Sequence, residues 1–485
     1  MSHRKLLALA LTTAGALAMT AINTPASIAE DTGAAESTQT SSADQYENSV
    51  VTIIVQLTDD APALADMKER VNAAVAAAVP GASATGLREY THALRGFAIK
   101  APASSLAAIR ATPGVKAAFM DRYSATIYDV YSPDSFGSKG KDHDPSLSTA
   151  MDMTAAAQAA RRGSGQVIEI IGTGFDTSHS AFAGSVEGAR LSQADVNSLA
   201  AMLGDGRGGG WVSAKIPFAY DYADSDADVA YPARDEYPDQ TYDARYTQGT
   251  HVAALAAANG SEFRGAAPDA QLIMAKVLGN DDQEINDSVL LAALDDAAVL
   301  TPDVLVVSVG DDFGQNGDAL AVYADVYAAL TAKGVAINAP AGDYTSAAWG
   351  NWNKDQPFVT DADYGAIIWP ALDSNALAAA SLDEVKRTDG QPLPDASPSY
   401  FSSWGVTPDL RLKPEIAAPG GDVMSALPAG FYGRRSGTAE ASAQVAGIAA
   451  LVRQRIAADP MFAGMSAADK DAVVANFLMG TAHPV

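Results

Sequence analysis

Short apolar runs rich in β-branched side chains alternate along this chain with stretches whose apolar positions recur every three or four residues. The clearest runs are Val167-Ile168-Glu169-Ile170-Ile171, Gln271 to Val277, Val304 to Val309 and Val335 to Ala339. Each is short and nearly continuous, which predicts strands buried on both faces. Helices are expected near Gly249 to Ala258, Ile285 to Val299, Asp318 to Lys333 and Gly437 to Ile456. This alternation predicts an α/β fold, a mainly parallel sheet with helices on each side in three layers. In such sheets ligand chemistry gathers at the carboxyl ends of the strands.

A smaller pattern precedes it. Over residues 49–122 a strand (Val50 to Leu57), an Ala-rich helix (Ala61 to Val79), a strand pair (Leu87 to Lys100), a short helix (Ser104 to Ala111) and a strand (Val115 to Asp121) follow one another. The order β-α-β-β-α-β predicts a small α+β, ferredoxin-like domain. Residues 123–150, with scattered Ser, Asp, Gly and Pro, are expected to be a linker to the main domain at 151–485. At the start, Arg4 and Lys5 precede the apolar run Leu6 to Ala21, and Ser27-Ile28-Ala29 supplies small residues at a cleavage point. Residues 1–29 thus have the pattern of a secretory signal peptide, and 30–48 that of a disordered lead-in. Thr12, Thr13 and Gly15 interrupt the apolar run, leaving it short of the roughly 20 residues that span a bilayer. The expected location is outside the cell or in its envelope, with no transmembrane segment in the mature chain.

Composition narrows the chemistry. The 485 residues carry 32 Lys and Arg against 58 Asp and Glu, a formal charge of −26, which repels phosphate backbones and excludes nucleic acid as a partner. Cysteine is absent, so disulfides, thiolate nucleophiles and cysteine-held metals are excluded. Residues 221–243 hold eight Asp/Glu and one Arg. Within them Asp224, Asp226, Asp228 and Asp235 fall at the first, third, fifth and twelfth places of a calcium loop, but Val229 stands where such a loop needs Gly. A solvated acidic loop is the expectation there, with calcium as the alternative.

Three motifs fall where chemistry is expected. Ile171-Gly172-Thr173-Gly174-Phe175-Asp176, Gln248-Gly249-Thr250-His251-Val252-Ala253-Ala254 and Ser436-Gly437-Thr438-Ala439-Glu440-Ala441 resemble, in order and spacing, the three catalytic blocks of the subtilases, the subtilisin-like serine peptidases. Lys215 to Asp226, Arg264-Gly265-Ala266-Ala267-Pro268 and Phe401 to Gly420 add to a likeness with the large cell-envelope, lactocepin-type group. The resemblance implies a subtilisin-like three-layer α/β/α fold, and it implies that residues 49–122 are a propeptide, a folding chaperone and inhibitor.

The family's relay joins a serine hydroxyl, an imidazole base and an orienting carboxylate. At the matching positions this chain has Ala439, Gln248 and Gly172, and Asp343 stands where the resemblance implies an oxyanion-binding Asn. A relay moved to Asp176, His251 and Ser442 is disfavoured, because three residues along a helix displace a group by about 4.5 Å. His251 and Asp176 are expected to be structural. Ser308-Val309-Gly310 resembles the substrate-lining strand, which pairs with extended peptides through its backbone. The expected function is therefore that of a secreted subtilase homologue without catalysis, binding or scaffolding an extracellular peptide or protein and retaining its own propeptide. The alternative is a working serine endopeptidase acting on extracellular proteins.

Overall fold

The computed structural model describes residues 49–121, 123–124, 144–203, 207–232, 244–282, 284–310, 318–343, 367–385, 395–407 and 410–483. The signal-peptide pattern, the lead-in and most of the linker lie outside them, as does Asp235. Among the described residues no helix is long and apolar enough to cross a membrane.

The N-terminal unit runs β1 (Val50–Leu57), α1 (Leu64–Ala78), β2 (Thr85–Tyr90), β3 (Gly96–Pro102), α2 (Leu106–Arg110) and β4 (Val115–Met120). Its antiparallel sheet has the order β2-β3-β1-β4. One face of β1 and β3 packs on Met67, Val71 and Val75 of α1, a stripe with the spacing four and four that an amphipathic helix requires. A two-residue strand, β5 (Tyr123–Ser124), continues the chain.

The main unit then runs through α3 (Ala150–Met153), β6 (Val167–Gly172), α4 (Gln193–Ala200), β7 (Phe218–Asp221), α5 (Ala244–Ala257), β8 (Gln271–Lys276), β9 (Ile285–Asn286), α6 (Asp287–Leu300), β10 (Val304–Val307), α7 (Asp318–Ala332), β11 (Ala336–Pro340) and β12 (Ala376–Asp383). After it come β13 (Gly405–Val406), β14 (Leu412–Lys413), β15 (Ile416–Gly421), the hairpin β16 (Val423–Leu427) and β17 (Phe431–Arg435), α8 (Thr438–Ala457) and α9 (Ala467–Thr481). Seven strands form a parallel sheet of order β15-β12-β11-β10-β6-β8-β7. Ile168 and Ile170 of β6 face the layer containing α5 and α8, while Val167 and Ile171 face the layer containing α6 and α7. The strands and helices foreseen from the apolar pattern all form, with ends displaced by no more than five residues. Unforeseen were β7, β12, β15 and the β16–β17 hairpin, the helices α3, α4 and α9, and the two-residue strands β5, β9, β13 and β14. Ala and Ser dominate β12, and Pro419 is tolerated in β15 because that strand is at the sheet edge.

The two units meet along α6 and α7. The buried carboxylate of Asp295, on α6, accepts four successive backbone N–H groups from the β2–β3 loop: Thr91 (2.9 Å), His92 (2.9 Å), Ala93 (2.7 Å) and Leu94 (3.0 Å). Around it, Arg88 donates to the Tyr222 carbonyl (2.7 Å), the Tyr90 hydroxyl to the Ser288 carbonyl (3.0 Å) and Gln56 to Asp325 (2.7 Å). Asp121 caps the first turn of α6, accepting from the Ser288 N–H at 3.0 Å and from its hydroxyl. Two residues later, β5 pairs antiparallel with β9. On the far side of the linker, Glu384 accepts from the N–H groups of Thr149 (2.5 Å) and Ala150 (3.0 Å), tying the start of α3 to the sheet.

Asp295→Ala leaves these four amides without their acceptor. It is expected to cost about 3 kcal/mol or more in urea unfolding of the full chain; a change below about 1 kcal/mol would show that the seam does not depend on this carboxylate. Burial pushes the Asp121 carboxyl up from 3.8 to about 6, against the pull of its Ser288 hydrogen bonds. Its protonated form is the one folding prefers, so its contribution is complete below pH 3.8 and is lost as pH rises to about 6. Thermal melts across that window should show a falling contribution that Asp121→Asn removes; identical pH profiles for the two proteins would refute it.

Candidate active site

The three motif positions sit on the elements that the fold brings to one end of the sheet. Gly172 is the last residue of β6, Gln248 lies in the second turn of α5, and Ala439 is the second residue of α8. Ser308 follows β10, and Asp343 follows β11 after Ala341 and Gly342.

Gly172 presents no functional group. A Cβ there would lie 3.1 Å from the Phe175 ring, 3.3 Å from Ser308 Oγ and 3.4 Å from Gly249 Cα, so neighbouring atoms crowd the space a side chain would need. The backbone contact is closer still at Gly249, whose added Cβ would stand 2.2 Å from the Gly174 carbonyl oxygen. Only glycine lets the amino end of α5 approach the 172–175 loop.

Gln248 is buried, with both ends of its amide engaged. Nε2 donates to the Ser308 carbonyl at 2.6 Å, and Oε1 accepts from the Thr173 hydroxyl at 3.4 Å. The side chain thereby joins the segments after β6 and β10. A carboxamide has no basic lone pair near neutral pH, so it cannot take a proton from a nucleophile.

Ala439 contributes a buried methyl group. Beside it, Asp343 Oδ1 accepts from the Thr438 N–H at 2.8 Å, and the Thr438 hydroxyl accepts from the Gly342 N–H at 3.0 Å. The N-cap residue of α8 is Gly437, which has no side chain to close the helix end. Asp343 therefore supplies the missing cap from across the site, its negative charge favoured by the helix dipole. Glu440 adds a second carboxyl group in the same turn. Negative charge at this end is the opposite of what a developing oxyanion requires.

Asp176, His251 and Ser442 do not assemble into a relay. Asp176 Oδ1 accepts from the Ser178 N–H (3.0 Å) and hydroxyl (2.6 Å), and Oδ2 accepts from the Ala429 N–H (2.9 Å). His251 is completely buried, with Nε2 at 3.1 Å from the Val423 carbonyl and 3.3 Å from that of Gly433. Two carbonyl neighbours place the proton on Nε2. Nδ1 is 3.3 Å from Glu440 Oε1, which in turn is 3.8 Å from Arg435 Nε. Burial pushes the imidazole below its ordinary pKa, opposed incompletely by Glu440. Ser442 Oγ is buried and has no hydrogen-bond partner among the described residues. The histidine thus ties α5 to the β16–β17 hairpin through Nε2, with Glu440 of α8 beside its Nδ1.

Ser308, Val309 and Gly310 are all buried. Ser308 Oγ donates to the Ile171 carbonyl at 2.6 Å, and a Cβ on Gly310 would meet the Trp369 carbonyl oxygen at 2.3 Å. In the acidic stretch, the buried Lys276 ammonium lies 2.5 Å from Asp221, 2.6 Å from Asn280 and 3.6 Å from Asp224. Asp226 and Asp228 accept from backbone N–H groups of their own turns, at 2.9 and 3.1 Å. Among the described residues no three metal-ligating side chains converge. Sequence reasoning missed Asp295 and the Glu440–Arg435 contact; the one available signal for Asp295 was an Asp pair inside the otherwise apolar helix LLAALDDAAVL.

Residues 163–484 match the family described as the subtilase family. The chain is 26% identical over 298 residues to the PII-type proteinase of Lacticaseibacillus paracasei and to the PI-type proteinase of Lactococcus lactis subsp. cremoris, covering 56% of this chain and 14% of each relative. It is 46% identical over 66 residues to the C5a peptidase of Streptococcus pyogenes, 13% of this chain and 6% of that protein. The chain thus spans a small part of the length of the curated relatives it matches.

Placing an Asp, a His and a Ser at the three motif positions in the variant Gly172→Asp, Gln248→His, Ala439→Ser is expected to leave hydrolysis of a fluorogenic peptide at background. The crowding at 172 and the carboxylate at 343 both persist, and loss of one oxyanion donor costs about a hundredfold to a thousandfold in rate. A triple variant that hydrolyses casein would show that Asp343 is no obstacle.

Proposed function

Because this chain belongs to the subtilase family, we propose that it is a catalytically silent member that keeps the peptide-binding architecture of a serine peptidase and has lost its proton relay. The observation that carries this reading is Gln248: its amide is spent on the Ser308 carbonyl and the Thr173 hydroxyl, where a base would have to stand free. Gly172 offers no carboxylate and Ala439 no hydroxyl. In subtilisin, removal of the whole triad lowers kcat by about two-million-fold, and the residue of activity relies on an intact oxyanion site. Asp343 works against that remainder as well. The opposing reading, a working endopeptidase, rests on the activities named for the relatives.

Peptide binding needs no catalytic residue. The edge strand β9 already holds one extended segment, its own Tyr123–Ser124, by antiparallel backbone pairing. An external peptide would use the same kind of pairing, with specificity set by side-chain pockets. The N-terminal β-α-β-β-α-β unit corresponds to a propeptide that the chain cannot remove for itself. It stays docked on α6 and α7 until another protease cuts the linker at 123–150. The pattern at residues 1–29 supports a location outside the cytoplasm, free or in the cell envelope.

Purified protein from a protease-free host should leave casein intact and form no adduct with a fluorophosphonate probe, and mass spectrometry should find residues 49–121 still joined to the main unit. Casein hydrolysis, or a labelled serine in intact protein free of contaminating protease, would overturn the proposal.

A further inference from the structure

Next to the altered centre lies a cavity that the family chemistry does not use. Phe175, Val212, Val229, Tyr231 and Pro428 give it apolar walls, and Asp176 and Asp228 give it carboxylates; its volume is about 470 Å³. That size suits a large side chain or small ligand. Phe175 lines this cavity and also lies 3.1 Å from the place of a Cβ on Gly172, so the cavity and the motif position share one ring. Among the described residues no Lys, Arg or His lines it.

The two carboxylates differ in what they have to spare. Both Asp176 oxygens are engaged by N–H and O–H donors of its own surroundings, whereas Asp228 is exposed and uses one oxygen, Oδ1, for the Ala230 N–H at 3.1 Å. Its other oxygen accepts from no described residue. Lys276, whose ammonium stands 5.9 Å from the centre of the Tyr231 ring, is buried and already held by Asp221 and Asp224. Together with the formal charge of −26, this makes the pocket a negative, apolar-walled recess on a negative protein.

We propose that this pocket receives a lysine or arginine side chain of an extended peptide. The methylenes pack on Phe175, Val212 and Pro428 while the cationic head meets Asp228, with Asp176 adding to the field. A neutral apolar residue would leave the second Asp228 oxygen without a cationic partner, and an acidic one would be repelled. The inference rests on the peptide-binding reading above and gives it a substrate class.

The test uses the full chain and two unstructured decapeptides of matched length, one with central lysines and one with glutamates in their place, followed by titration calorimetry. The lysine peptide should bind at least about tenfold more tightly, and raising salt from about 0.05 to about 0.5 M should erode the difference. Asp228→Asn keeps the Ala230 acceptor but loses the charge, and should weaken the lysine peptide about threefold to fivefold. Asp66→Asn, which removes the same charge from α1, should leave binding unchanged. Val212→Arg, which puts a guanidinium at the mouth, should lower affinity further than Asp228→Asn does. Equal binding of both peptides, or an equal effect of Asp66→Asn, would overturn the pocket while leaving the peptide-binding reading standing. Binding of neither peptide would remove both.

Discussion

A helix buried from its first turn must have its amino end satisfied by something other than water. In this protein that helix is α8, and the hydrogen bond from the Thr438 N–H to Asp343 meets the requirement. Gly437 at the N-cap has no side chain, so the cap comes from the segment after β11, 95 residues earlier. The choice of a carboxylate suits the positive end of the helix dipole. That carboxylate holds the segment after β11 against the start of α8.

The neighbouring motif positions serve packing in the same way. Gln248 bonds to Ser308 and Thr173 and so closes the gap between two strand ends. Gly172 leaves room that Phe175 crowds, and Ala439 adds only a methyl group to a packed core. Polar atoms at the centre are used for holding segments together. His251 follows the same logic, spending its Nε2 on the two strands of the hairpin.

Electrostatics organise the outer parts in a similar way. Acidic side chains are used as acceptors for backbone N–H groups: Asp295 for the β2–β3 loop, Asp121 for the start of α6 and Glu384 for the start of α3. In the acidic stretch, Lys276 stands among Asp221, Asp224 and Asn280. A chain this rich in Asp and Glu folds because many of its carboxylates are satisfied locally, while the remainder, such as Asp228, give the surface its negative field.

Periodicity alone determined the layer architecture and the β-α-β-β-α-β unit, and motif order singled out Gly172, Gln248, Ala439 and Asp343 as the positions to inspect. Periodicity suffices for the fold because burial on both faces demands continuous apolar strands. Tertiary structure decided what the groups at those positions bond to. Gln248 finds Ser308, Asp343 finds Thr438, His251 finds the β16–β17 hairpin, and Asp295 finds a loop some two hundred positions away; β12 and β15 also escaped the pattern, being rich in Ala, Ser, Gly and Pro. Such pairings join residues far apart in the chain, and no local pattern encodes a partner that only packing brings within 3 Å.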